Sequence, residues 1–148
     1  MNSIEEILEY AIAREQEAVE FYTGLARRSE KAWMRDLLMD FAQEEARHKA
    51  KLLAVKEGQK LLSSDNRITD LKIADYLVDV EVSDDIGLQD ALIVAMKREK
   101  AAYRLYTDLA MRVDDGELRE IFLGLAHEEA KHKLYFETQY EERVQRDN

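Results

Sequence analysis

The two halves of this 148-residue sequence repeat each other at a fixed offset of 84 residues. The segment AIAREQEAVEFYTGLA, which starts at Ala11, aligns without a gap with AMKREKAAYRLYTDLA, which starts at Ala95. The segment FAQEEARHK, from Phe41, aligns in the same way with LAHEEAKHK, from Leu125. Of the 25 aligned positions 14 are identical, eight in the first pair and six in the second. The chain is therefore predicted to contain two copies of one supersecondary unit.

The spacing of apolar residues predicts that each unit is a pair of helices. From Ile4 to Leu25, apolar or small residues recur at intervals of four and three, which is the period of a helix buried along one seam. Ser3 and Glu6 have the spacing of a capping box and mark the first helix start. The chain has no Pro and only five Gly, which also favours helices. We predict helices over about residues 3–28, 31–62, 87–112 and from about 117 into the low 140s.

Four helices with such seams predict an all-α four-helix bundle in one domain spanning residues 1–148. We expect one hairpin over 3–62 and its repeat over 88–145. Residues 63–87 break the period and are too long for a tight turn, so they are predicted to cross along the bundle and to leave helices two and three parallel. The segment ITDLKIADYLVDV within them reads equally well as a short helix or as extended chain.

Composition excludes several functions and compartments. The net charge of −10 argues against nucleic acid and anionic membrane surfaces as partners. The longest apolar run, Ala91 to Met96, is far shorter than a membrane span, and MNSIEEILEY enters a helical pattern at once, unlike a signal peptide. We therefore expect a cytoplasmic protein. With no Cys, any metal must be held by carboxylates and imidazoles.

Six positions of the predicted seams carry ionisable residues where Leu or Ala is expected. Glu15 and Glu45 have their midpoint at residue 30, and Glu99 and Glu129 have theirs at residue 114, so each pair is level across its predicted turn. A His follows the second Glu of each pair by three residues and points from the same helix face. The six are Glu15, Glu45, His48, Glu99, Glu129 and His132.

Four carboxylates and two imidazoles in one buried layer predict a site for two metal ions. An unpaired buried ion costs several kcal/mol, whereas two divalent cations cancel four negative charges. One Glu from each of two helices and Glu-x-x-His from each of the other two is the ligand set of di-iron and di-manganese bundles. Oxygen-rich ligands with one imidazole per metal suit Fe or Mn, with Zn as an alternative. The competing interpretation, polar seam residues that only fix helix register, does not account for six in one layer.

The order E…ExxH…E…ExxH resembles the ferritin-like di-iron carboxylate superfamily, and REQEAVEFYTGLA and KREKAAYRLYTDLA resemble rubrerythrins. The resemblance implies that Glu15 and Glu99 are terminal ligands, that Glu45 and Glu129 bridge the metals, and that His48 and His132 complete the two coordination shells. Rubrerythrins proper also have a four-Cys rubredoxin domain, which this sequence lacks, and a further carboxylate at the position of Ala102.

Four more residues are candidates for supporting roles around the site. Tyr22 and Tyr106 follow Glu15 and Glu99 by seven residues, and the resemblance implies that they hydrogen-bond a ligand carboxylate or donate electrons; the alternative is a core Tyr. Glu44 and Glu128 precede the bridging residues, and each could accept the free ring N–H of the His in the other hairpin. The alternative for both is a solvated helix face.

The resemblance implies an oxidoreductase that reduces peroxide or O₂ and is re-reduced by an external electron-transfer protein. One alternative is a ferritin-type ferroxidase that stores iron, and another is a non-catalytic bundle stabilised by metal. We expect a homodimer, and the long connection permits the hairpins to exchange between two chains.

Overall fold

The computed structural model describes residues 3–62, 71–78 and 86–147, and the described part of the chain is helical almost throughout. It contains four long α-helices and one turn of 3-10 helix: α1 (Ile4–Arg28), α2 (Ala32–Leu62), the 3-10 helix (Ile73–Tyr76), α3 (Leu88–Arg112) and α4 (Gly116–Asp147). The predicted all-α fold is confirmed, and the helix boundaries agree with the sequence pattern to within a few residues.

The first hairpin begins with the capping box that the sequence predicted. The Ser3 hydroxyl accepts the Glu6 backbone N–H at 3.1 Å, and the Glu6 carboxylate accepts the Ser3 backbone N–H at 3.2 Å. Both N–H groups would otherwise lack a partner inside the helix. Helix α1 ends at Ser29, whose extended backbone turns the chain so that α2 packs back along α1.

The second hairpin has a different cap at its turn. The side chain of Asp115 accepts the backbone N–H groups of Glu117 at 2.8 Å and Leu118 at 3.0 Å, and so starts α4. Helices α3 and α4 then pack against each other. Helix α4 continues to Asp147, beyond the predicted low 140s, because no Pro or Gly follows Gly124 to stop it.

Each hairpin buries most of the apolar residues that recur at intervals of four and three along its helices; the exceptions lie at helix starts and at Ala18 and its repeat equivalent Ala102, which are half-buried. Leu88, at the first residue of α3, is exposed, and Met34 and Leu118 are only half-buried, because few neighbours surround a first helical turn. The other central seam residues are buried. They include Leu8, Ala11 and Leu52 in the first hairpin and Leu92, Ala95, Leu109, Leu125 and Phe136 in the second.

The connection between the hairpins is attached to α3 by Tyr76 in the 3-10 helix. The Tyr76 hydroxyl donates a hydrogen bond to Asp108 at 2.5 Å, and the Arg104 guanidinium lies 5.7 Å from the centre of its ring. Arg112 lies 3.8 Å from Asp108. Burial, together with the Asp108 carboxylate, raises the pKa of Tyr76 well above its usual range. Of the predicted crossover 63–87, residues 63–70 and 79–85 lie outside the described residues.

The chain divides into two compact units, residues 1–69 with the first hairpin and residues 70–148 with the second. The 3-10 helix belongs to the second unit. The predicted single domain and the parallel course of α2 and α3 stay predictions.

Candidate metal centre

The buried ionisable side chains are those that interrupted the hydrophobic seams. Among the residues whose burial the structure describes, the buried polar or charged ones are six, each at most 2% exposed. A Glu is almost never fully buried unless it is paired or ligated, so four such residues in one chain require a compensating charge. The six are Glu15, Glu45, His48, Glu99, Glu129 and His132.

The first hairpin brings three of the six together. Glu15 comes from the middle of α1, and Glu45 and His48 come from adjacent turns of one face of α2. The His48 Nδ1 atom lies 3.5 Å from Glu45 Oε1 and 3.7 Å from Glu15 Oε2. A donor atom from each of the three residues lies within 4.8 Å of the other two. The predicted level pairing of Glu15 with Glu45 across the turn is therefore present.

The second hairpin repeats this arrangement at the equivalent positions. Glu99 lies in the middle of α3, and Glu129 and His132 lie one turn apart on α4. The His132 Nδ1 atom lies 3.8 Å from Glu99 Oε1. Donor atoms of the three residues again lie within 4.8 Å of one another. The duplication seen in the sequence is thus a duplication of a three-residue donor cluster, which we call a triad.

The distances within each triad suit a shared cation better than direct hydrogen bonds. Nitrogen-to-oxygen hydrogen bonds are about 2.7–3.2 Å long, shorter than the 3.5, 3.7 and 3.8 Å measured here. Two ligand atoms that each lie about 2.1 Å from a metal such as Zn²⁺ are at most about 4.2 Å apart. Carboxylate and imidazole donors in these numbers fit a divalent first-row metal such as iron or manganese. The residues present therefore fit a metal site.

The two tyrosines predicted near the site are both buried. Tyr22 and Tyr106 are each 1% exposed. The Tyr22 ring contacts Phe41 edge-on with ring centres 6.1 Å apart, so its ring packs within the core of the first hairpin. Their burial fits either a core position or a place beside the ligands. A hydrogen bond from either hydroxyl to a ligand carboxylate stays a prediction.

The acidic neighbours of the bridging candidates have a different environment. Glu44 and Glu128 are half-buried, at the boundary between the seam and the surface. Their predicted contact with the His of the opposite hairpin stays a prediction. The third His of the chain, His127, is exposed and lies off the seam.

One feature next to the first triad was not found by the sequence reasoning. Lys49 donates a hydrogen bond to the Gln16 side chain at 2.9 Å and joins α1 to α2 beside Glu15 and His48. At the offset of 84 the equivalents are Lys100 and Lys133, two cations that cannot make this bond. Lys133 instead pairs with Glu137 within α4, at 3.0 Å. The alignment of the two halves indicates this difference, because Gln16 is aligned with a charged residue, Lys100.

The family model for Rubrerythrin matches residues 6–140, nearly the whole chain. The chain belongs to the rubrerythrin family. It is also similar to the solved structure of a hypothetical protein from Pyrococcus furiosus, with 26% sequence identity and a TM-score of 0.69, over 94% of this chain and 89% of that one. No curated protein matches the chain.

These comparisons confirm the predicted fold class, the ferritin-like four-helix bundle of rubrerythrins. Membership of the family and the buried carboxylate and histidine groups are together consistent with a metal site of the rubrerythrin type. Over the described residues, no helix combines the length and the apolar character needed to cross a bilayer.

Proposed function

We propose that this rubrerythrin-family protein binds two iron ions with its two triads and reduces peroxide, or O₂, with electrons from an external protein. The observation that carries the proposal is the repeated burial of two carboxylates and one imidazole in each hairpin, with donor atoms within 4.8 Å. Two divalent cations cancel the charge of the four carboxylates. Manganese suits the same donors, and Zn²⁺ is the redox-inert alternative.

The six side chains have three roles in this proposal. Glu15 and Glu99 would each hold one metal, Glu45 and Glu129 would be shared between the two metals, and His48 and His132 would each complete one ligand set. Each role is assigned twice, at positions 84 residues apart, as the repeat of the triads requires. Roles that occur in pairs predict two metals in equivalent environments rather than one catalytic and one structural ion.

The surrounding residues exclude water and hold the ligands in place. Leu52 in the first hairpin and Leu125 and Phe122 in the second are fully buried on the same helices as the ligands. A low-dielectric surrounding strengthens the attraction between carboxylates and cations. When bound, two Fe(II) ions supply the two electrons that reduction of peroxide to water consumes. The hydroxyls of Tyr22 and Tyr106 would hold a proton at Oη beside the ligand carboxylates.

The test is anaerobic loading with Fe(II), followed by stopped-flow mixing with hydrogen peroxide or with O₂. We expect two iron ions per chain and faster oxidation by peroxide than by O₂. His132→Ala should abolish the fast phase, whereas the matched variant His127→Ala, at an exposed His five residues earlier on α4, should retain it. Fast oxidation by O₂ with slow oxidation by peroxide would count against peroxide as the substrate.

Two further measurements separate the alternative functions. A native assembly of many subunits that accumulates far more than two iron ions per chain would favour ferritin-type storage over reduction of peroxide. If neither oxidant reacts with the bound iron, and removal of metal only lowers the melting temperature, the metal has a structural role alone.

A further inference from the structure

One exposed face of α3 carries three cations, Lys97, Lys100 and Arg104, which we call the basic stripe. At 100° per residue these positions fall within an arc of about 60° on the helix. All three residues are exposed, whereas Glu99 on the same helix is buried on roughly the opposite side. The basic stripe therefore lies behind a proposed metal ligand, across one helix of about 10 Å diameter.

The repeat shows that this charge is specific to the second hairpin. At the offset of 84 the equivalents of Lys97, Lys100 and Arg104 are Ala13, Gln16 and Glu20 on α1. These three positions thus carry three positive charges in one copy and one negative charge in the other. The triads are identical in the two copies, so metal binding does not explain the difference.

Within the described part of the chain, the charges of Lys97 and Lys100 are not balanced by ion pairs, whereas Arg104 lies one turn before Asp108 on the same helix. Over the residues that the structure describes, no carboxylate forms an ion pair with Lys97 or Lys100. Like charges at i, i+3 and i, i+4 positions weaken a helix slightly. Arg104 is also held in place by its contact with the Tyr76 ring. A cationic stripe on a chain of net charge −10 is therefore a local exception with a small cost in stability.

We propose that the basic stripe is the docking surface for an acidic electron-carrier protein. This proposal rests on the proposed function, in which the electrons come from an external protein. Complementary charge accelerates the encounter of two proteins and orients a short-lived complex. A carrier bound at the basic stripe would reach Glu99 across a single helix.

An exposed aromatic and an exposed apolar side chain flank the cations on α3. Tyr103 is 40% exposed and Met111 is 74% exposed, and Met111 follows Arg104 by two helical turns. Tyr, Met and Arg are enriched in protein interfaces relative to the remaining surface. These neighbours favour a protein partner over a small anion, which would need only the cations.

The test measures binding of zinc-substituted rubredoxin, an acidic carrier made redox-inert, by isothermal titration calorimetry at low salt. The variant Lys97→Glu with Lys100→Glu reverses the charge of the basic stripe. The matched control, Lys31→Glu with Lys51→Glu, changes two exposed lysines of the first hairpin and alters the net charge by the same amount. We expect the dissociation constant to rise about tenfold or more for the first variant and less than twofold for the control. The wild-type affinity should fall as salt screens the charges.

Other results of these experiments would contradict the docking surface, the identity of its partner or the proposed function. No salt-dependent binding by the wild type, or equal weakening by both variants, removes the docking surface. If the stripe variant converts a wild-type dimer into a monomer in the ultracentrifuge, the stripe is a contact between copies of this chain. If binding behaves as expected but peroxide does not oxidise the loaded iron, the electron-carrier role fails together with the proposed function. Suppose that peroxide oxidises the iron and neutral hydroquinone re-reduces it, but charge reversal of the basic stripe leaves rubredoxin binding unchanged. The docking proposal alone then fails.

Discussion

The Nδ1 atom of His132 lies 3.8 Å from Glu99 Oε1, and 84 residues earlier His48 Nδ1 lies 3.7 Å from Glu15 Oε2. Each contact joins two helices of one hairpin in the middle of its core. The two halves therefore present the same donors at nearly the same separation.

Loss of one imidazole should remove metal. His132→Ala deletes a donor from the second triad, and we expect bound iron to fall from two ions per chain to one or fewer. His127→Ala is the matched control because that His is exposed, and it should keep both ions. Elemental analysis after gel filtration gives the stoichiometry. Equal iron content in the two variants would contradict the assignment of His132.

Removal of one buried carboxylate should stabilise the metal-free protein. Glu15 is 2% exposed and lies with Glu45 in one triad, so in the metal-free protein its removal relieves the desolvation cost of a buried carboxylate and the repulsion between two acidic groups. We expect Glu15→Leu to unfold at higher urea concentration than wild type in the presence of a chelator, and to lose the further stabilisation that Fe(II) gives wild type. Glu17→Leu, at a side chain 46% exposed, should do neither.

The turn of the second hairpin offers a matched pair of neighbouring acids. Asp115 accepts two backbone N–H groups at the start of α4, whereas Asp114 is exposed and has no part in this cap. Asp115→Ala should lower the free energy of unfolding by about 1 kcal/mol, the usual cost of a lost N-cap. Asp114→Ala should change it by less than about 0.5 kcal/mol. Urea unfolding followed by circular dichroism measures both, and a larger effect at Asp114 would refute the assigned cap.

Tyr76 should make stability depend on alkaline pH. Tyr76→Phe loses the hydrogen bond to Asp108, and we expect the free energy of unfolding to fall by about 1–2 kcal/mol at pH 8. Folding raises the pKa of Tyr76 above the ordinary value near 10. The contribution of the protonated Tyr76 hydroxyl to the free energy of unfolding is therefore fully present below pH 10 and is lost as the pH rises beyond it. The difference in the free energy of unfolding between wild type and Tyr76→Phe should therefore decrease between pH 10 and 11.

The control for this titration is Tyr103→Phe, at an exposed ring on α3. Burial also raises the pKa of Tyr135, but that residue is present in every variant and cancels in the comparison. If the difference in the free energy of unfolding between wild type and Tyr76→Phe stays constant up to pH 11, the assigned titration of Tyr76 is ruled out.

The sequence predicted the helices and the triads because both depend on short, regular spacings. The capping box at Ser3 and Glu6, and the level of Glu15 with Glu45 across the turn, follow from helical geometry alone. A buried Glu at a seam position also has few physical explanations other than a compensating cation. These features are encoded within a few turns of helix.

The contact of Tyr76 with Asp108 was not predicted, because the two residues are 32 positions apart and neither belongs to a periodic pattern. The sequence of the connection is compatible with a helix and with extended chain, and its described part contains a single 3-10 turn, Ile73–Tyr76. Side-chain bonds such as that of Lys49 with Gln16 depend on tertiary packing, which spacing alone does not determine.

The repeated triads also bear on how such a protein could arise. Each hairpin carries a full donor set of two carboxylates and one imidazole, so half of the present gene would already encode every ligand type. An ancestor of that length could have worked as a pair of identical chains, and fusion of two gene copies would then free each half to mutate separately. Selection on ligands would hold Glu99, Glu129 and His132 equal to their counterparts. The outward residues of α3, released from that symmetry, could acquire charge that the first copy never had.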